Sequence, residues 1–162
     1  INYMIDPNIF IDDDGQAYLY VGGARQLGVV KLKEDMITRD GPLERLKMPE
    51  FYEGRWVHKR NGIYYASYPT RPTDKDHKAN RMVYSTAKDP LGPWEFKGEI
   101  IDNKSLNVHG SIVEFKGQWY LFYHVAGPSN YERRVCMEPL SYNADGTIKP
   151  IRMSKNVGIL QH

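Results

Sequence analysis

EGRWVHKRNGIYYASY, from Glu53 to Tyr68, is the unit on which the chain is built. A polar residue opens it, an apolar run follows, and an Arg60-Asn61-Gly62 turn leads into an aromatic stretch where Ile63, Tyr65 and Ser67 alternate with Tyr64, Ala66 and Tyr68. Period-two alternation predicts a strand, and apolar residues on both faces predict burial on both, as when sheets stack. The unit recurs on either side, as DPNIFIDDDGQAYLY from Asp6 to Tyr20 and as HGSIVEFKGQWYLFY from His109 to Tyr123. Opening residue and turn glycine are nine positions apart in Asp6 to Gly15 and Glu53 to Gly62, and eight in His109 to Gly117. The scaffold repeats while the opener changes from Asp to Glu to His, a pattern that suggests a site assembled from several units.

Outward from these hairpins, turns are predicted at Asp12 to Gly15, Arg60 to Gly62, Phe115 to Gly117 and Asn143 to Gly146. A third strand is expected after each hairpin, at Leu27 to Leu32, Arg81 to Thr86 and Arg133 to Leu140. A fourth is expected near Leu43 to Leu46, Trp94 to Ile100 and Thr147 to Arg152. No stretch of helical length carries an apolar stripe, so the chain reads as all-β. Four antiparallel strands at a spacing of 47 residues and then 56 suggest propeller blades, with residues 1–162 forming one partial β-propeller domain. Closed propellers have four to eight blades, and this chain supplies about three. The expectation is therefore a segment of a longer propeller, or closure by a second chain or fragment.

Composition narrows the function classes. With 162 residues, 41% of them hydrophobic, the chain can bury a sizeable core. Its 22 basic and 20 acidic residues nearly cancel and are scattered, which argues against nucleic acid or an anionic membrane as partner. No apolar run approaches the length of a membrane span. Cys136 is the one cysteine, so an internal disulfide is excluded.

Asp6, Glu53 and His109 hold equivalent places at the inner starts of blades, where side chains of different blades converge. Two acids from neighbouring blades could face one ligand, and paired carboxylates are what glycoside hydrolysis requires. The plainer readings are a turn-opening Asp before Pro, a strand-end Glu before Gly and a locally bonded His; the shared register is what favours a site. Asp12, Asp13 and Asp14 precede a hairpin glycine and read as a solvated turn, while Asp74 and Asp102 lie in loops without a motif. Trp56, three residues past Glu53, is placed to cover a sugar face, with core packing as the alternative. Phe10 is similarly placed near Asp6, with a strand-core role the stronger of its two readings.

The three segments resemble the motifs of glycoside hydrolase family 43, five-bladed β-propeller arabinofuranosidases, xylosidases and arabinanases. The resemblance implies that Glu53 is the general acid and that Asp6 modulates its pKa and orients it. It places His109 near the channel centre, where the histidine of many members helps hold a calcium ion; no other cofactor is implied. Family members commonly have Pro where this chain has Arg55, whose side chain is either a candidate substrate contact or merely points outward. Arg133 and Arg134 open a strand at a position where a family arginine contacts substrate or supports the channel, and only one of two successive strand residues can point inward. The implied activity is inverting hydrolysis of α-L-arabinofuranosyl or β-D-xylosyl linkages in plant cell-wall polysaccharide, in an extracellular or periplasmic setting, with the cytoplasm as the alternative. The aspartate that serves the family as general base lies in an upstream blade and has no counterpart in these residues. The rival reading is a propeller that binds carbohydrate without cleaving it.

Overall fold

A computed structural model describes residues 1–70, 81–103, 108–129 and 131–154. Eleven strands and no helix are present among them. β1 (Asn8–Ile11), β2 (Ala17–Val21), β3 (Leu27–Leu32) and β4 (Glu44–Leu46) form the first sheet. β5 (Trp56–Arg60), β6 (Ile63–Thr70), β7 (Arg81–Ala87) and β8 (Glu95–Ile101) form the second, and β9 (Gly110–Phe115), β10 (Gln118–Ala126) and β11 (Arg133–Leu140) the third. Every pairing is antiparallel between strands adjacent in sequence. The first strands of the sheets, β1, β5 and β9, neighbour one another, so each sheet is a blade with its opening strand innermost.

Local chemistry accounts for the hairpins. Asn61 and Gly62 both have positive φ, 50° and 70°, as do Lys116 and Gly117 at 51° and 79°. Two left-handed residues in succession are what a two-residue type I′ turn requires, and its twist matches the flanking strands. The expected fourth strand over Thr147 to Arg152 does not form. Tyr142 and Ile148 make one isolated bridge, and Ile151 N–H turns instead to the Ile100 carbonyl at 2.7 Å, tying this segment to the second sheet. Pro150 lacks the N–H a continuing ladder would need.

The second sheet is apolar on both faces because it is sandwiched. Tyr64, Ala66 and Tyr68 pack with Phe10, Tyr20 and Val29 of the first sheet. On its other face Tyr65, Met82 and Tyr84 pack with Ile112, Leu121, Tyr123 and Cys136 of the third. The outer face of the third sheet is open among the described residues, as a stack of about three blades requires, with Phe115, Phe122, Val135 and Met137 at 62%, 36%, 70% and 50% exposure. Ile9 and Ile11 are likewise exposed on the first sheet. Burial on both faces needs a neighbour on both, and among the described residues only the middle sheet has two.

Fully buried tyrosines hold the loops to this stack. The hydroxyls of Tyr20, Tyr65 and Tyr68 donate to the Pro90, Gly146 and Pro49 carbonyls at 2.8, 2.7 and 2.6 Å, and that of Tyr84 accepts from Ile148 N–H at 2.9 Å. A buried hydroxyl without a partner would cost about 1–3 kcal/mol, so each ring fixes a loop as well as filling the core.

Candidate active site

The polar openers do converge. Asp6, Glu53 and His109, one at the threshold of each innermost strand, offer ligand atoms that all lie within 4.8 Å of one another. His109 Nε2 is 3.6 Å from Glu53 Oε1, outside hydrogen-bond range, and the side chains are 39% and 18% exposed. The Glu53 carboxyl therefore stays accessible while being held between a carboxylate and an imidazole. Asp6 Oδ2 is buried and has no hydrogen-bond partner among the described residues.

Both acids are placed by the β2–β3 turn. Its Gly22 N–H donates to the Ile5 carbonyl at 2.9 Å, and Arg25 N–H donates to the Tyr52 carbonyl at 3.0 Å, so the residues just before Asp6 and Glu53 hang from one loop. Downstream, Asn8 Oδ1 accepts from Val57 N–H at 3.1 Å, locking β1 to β5 in the core. On the other side His109 lies against Gly54: a Cβ there would sit 2.3 Å from the ring Cε1, and φ at Gly54 is +54°. Only glycine permits this approach. The turn at Gly22 to Arg25 and the Asn8 clamp were missed in the sequence, where the paired Gly22-Gly23 after an aromatic strand was the available signal.

The remaining candidates are placed differently. Arg55, expected at the substrate, is only 3% exposed: Nη2 donates to the Asp6 carbonyl at 3.2 Å, and the guanidinium lies 5.6 Å from the Tyr20 ring centroid. Burial lowers its pKa to about 10, against the upward pull of Tyr20 and Asp6, so it is a cation at neutral pH. Phe10 is in the core between Tyr18 and Tyr64 and takes the strand-core alternative. Trp56 is half-buried and its Nε1 donates to the Ile112 carbonyl at 2.9 Å, which ties the ring to the third sheet. Arg133 and Arg134 open β11 at the end of the third sheet nearest His109, both exposed. Alternation puts Arg134 on the face of buried Cys136, Glu138 and Leu140, and Arg133 on the open face with Val135 and Met137.

The other acids fall outside the cluster. Asp12 is more than a solvated turn residue: Lys59 Nζ at 2.6 Å and the Tyr64 hydroxyl at 2.5 Å bind its carboxylate across two sheets. Burial alone would raise its pKa, but these hydrogen bonds hold it below the usual carboxylate value. Asp102 is exposed beyond β8, and Asp74 lies outside the described residues.

As a calcium site the trio supplies two carboxylates and one imidazole nitrogen. Calcium takes six to eight oxygens, so these three side chains do not by themselves form a calcium cage, and an ion among them would neutralise the acid pair.

The chain matches known proteins along most of its length. The profile of Glycosyl hydrolases family 43 matches residues 1–148. A β-xylosidase of Xylanibacter ruminicola is 32% identical over 93% of this chain and 59% of its own length. Among solved structures, an α-L-arabinofuranosidase of Clostridium thermocellum ATCC 27405 superposes with TM-score 0.79 at 39% identity, covering 93% of this chain and 53% of that one. A β-xylosidase/α-arabinofuranosidase from a compost microbial metagenome, described as a calcium-free complex with xylotriose, superposes with TM-score 0.82 at 30% identity, covering 93% and 58%. The chain thus spans somewhat over half the length of these relatives.

Proposed function

The chain belongs to glycoside hydrolase family 43, an all-β fold of five-bladed propellers of which it supplies about three blades, and from that premise we propose that it carries the proton-donating half of a pentosidase site. The substrate is an α-L-arabinofuranosyl or β-D-xylosyl linkage of plant cell-wall polysaccharide, met outside the cell or in the periplasm. Glu53 protonates the departing glycosidic oxygen, and Asp6 is the charged neighbour that orients it. One observation carries the reading: Asp6, Glu53 and His109 come from three blades and meet within 4.8 Å. The arabinofuranosidase and xylosidase activities of the similar proteins support the choice of sugars.

The spacing bears on the rest of the mechanism. An inverting acid and base stand about 6.5–9.5 Å apart to admit a water, whereas a retaining pair stands about 5–5.5 Å apart. Asp6 and Glu53 offer atoms within 4.8 Å, too close for Asp6 to be the inverting base. In the inverting mechanism we favour, water is therefore activated by a third carboxylate from outside the described residues. A structural calcium held through water near His109 is compatible with this mechanism, and no step depends on it.

Product analysis of the full-length protein with xylo- and arabino-oligosaccharides, alongside calorimetry, tests the proposal. Release of pentose supports it; binding without products would leave a carbohydrate-binding propeller. Proton NMR of the first-formed anomer tests the stereochemistry: inverted configuration fits a distant base, and retained configuration would overturn the inverting mechanism.

A further inference from the structure

We propose that Arg55 is a positioning residue of the acid pair: from beneath the site its guanidinium holds the Asp6 backbone carbonyl and so fixes how the Asp6 carboxylate faces Glu53. The inference rests on the reading of Glu53 and Asp6 above and adds to it a residue that does not touch the sugar.

Asp6 has φ 52°, a left-handed conformation that aspartate tolerates better than most residues and that the neighbouring backbone contacts hold in place. Its surroundings are two hydrogen bonds on successive carbonyls, Gly22 N–H to Ile5 at 2.9 Å and Arg55 Nη2 to Asp6 at 3.2 Å. The second crosses from the threshold of the second blade to the first. Arg55 is also two residues past Glu53, so the segment that carries the acid is the one that grips its neighbour. The contact therefore opposes a shift of one carboxylate relative to the other.

A space-filling role does not explain the residue. Arg55 is 3% exposed, and its Nε and Nη1 are buried without hydrogen-bond partners among the described residues. An apolar side chain of similar volume would stack on Tyr20 without desolvating a charge. What arginine adds is a donor on the Asp6 carbonyl and a fixed cation behind the Asp6 carboxylate, whose Oδ2 is equally buried and unpartnered. Tyr20, which carries the guanidinium on its ring, is itself pinned through its hydroxyl to Pro90 at 2.8 Å.

The test measures kcat and KM for Arg55→Met, Arg55→Lys and Glu53→Gln in the full-length protein, on a 4-nitrophenyl pentoside and on the matching unactivated disaccharide. Arg55→Met is expected to lower kcat on the disaccharide by about 10-fold or more, as misplacement of a catalytic group does. KM should stay within about twofold, since no substrate contact is lost, and the 4-nitrophenyl substrate, which needs little acid assistance, should lose far less. Arg55→Lys, which keeps a donor and a charge, should recover part of the loss. If Arg55→Met does not fold, Arg55→Gln carries the same comparison. Loss of equal size on both substrates, or unchanged kcat on both, overturns the proposal. If Glu53→Gln loses the disaccharide and the Arg55 variants do not, this inference alone falls; if Glu53→Gln keeps it, the reading of the acid falls first.

Discussion

His58 gives the protein a pH-dependent stability whose size can be worked out. The ring lies in the core between the second and third blades, stacked on Tyr65 at 4.9 Å and against Trp119 at 5.1 Å, with Nε2 paired to the Tyr142 hydroxyl at 2.8 Å. Burial, with Arg60 nearby, lowers its pKa from 6.5 to about 3. The folded state therefore holds the ring neutral while the unfolded chain protonates it, so the contribution is complete above pH 6.5 and erodes as pH falls from there toward about 3. Between pH 7 and pH 5 the uptake of one proton by the unfolded state costs about 2 kcal/mol. Urea unfolding at pH 7, 6 and 5 should show this loss in the wild type. His58→Gln, which cannot titrate, should lose about 2 kcal/mol less over the same interval, whatever its stability at pH 7. Parallel pH dependences for the two proteins would refute the reasoning, since they would mean that His58 takes up a proton in the folded state too.

Two further substitutions probe the stack. Asn8→Ala leaves the buried Val57 N–H without its acceptor and should cost about 1–3 kcal/mol in urea unfolding; because Asn8 and Val57 follow Asp6 and Glu53 closely, kcat should fall with it. Leu121→Ala, at a position with no exposure between the second and third blades, should cost about 2–5 kcal/mol. Phe122→Ala, on the opposite and open face at 36% exposure, should cost under about 1 kcal/mol; similar losses for the two would contradict the assignment of faces.

What could be read from the sequence was local or repeated. Period-two aromatic runs marked β6 and β10, Arg60-Asn61-Gly62 marked a hairpin turn, and the shared register of Asp6, Glu53 and His109 marked residues that do meet. What escaped depended on partners far along the chain. Arg55 has the sequence of a surface residue, yet it is buried because Tyr20 and the Asp6 carbonyl, 35 and 49 positions away, are waiting for it. Asp12 looked like a solvated turn until Lys59 and Tyr64 arrived from the next blade. The missing fourth strand of the third blade followed from competition: the Ile100 carbonyl captured Ile151, and Pro150 could not extend a ladder. The choice of Phe10 for the core over the sugar was likewise made by Tyr64, on another sheet.

The central claim is that Glu53 donates a proton to a leaving group, and the dependence of the Glu53→Gln defect on leaving-group acidity tests it most directly. With the full-length protein and a series of aryl pentosides extending to an unactivated disaccharide, the defect in kcat should grow as the leaving group worsens, reaching about 10²–10⁴-fold on the disaccharide. Near wild-type turnover of the disaccharide by Glu53→Gln would contradict the claim.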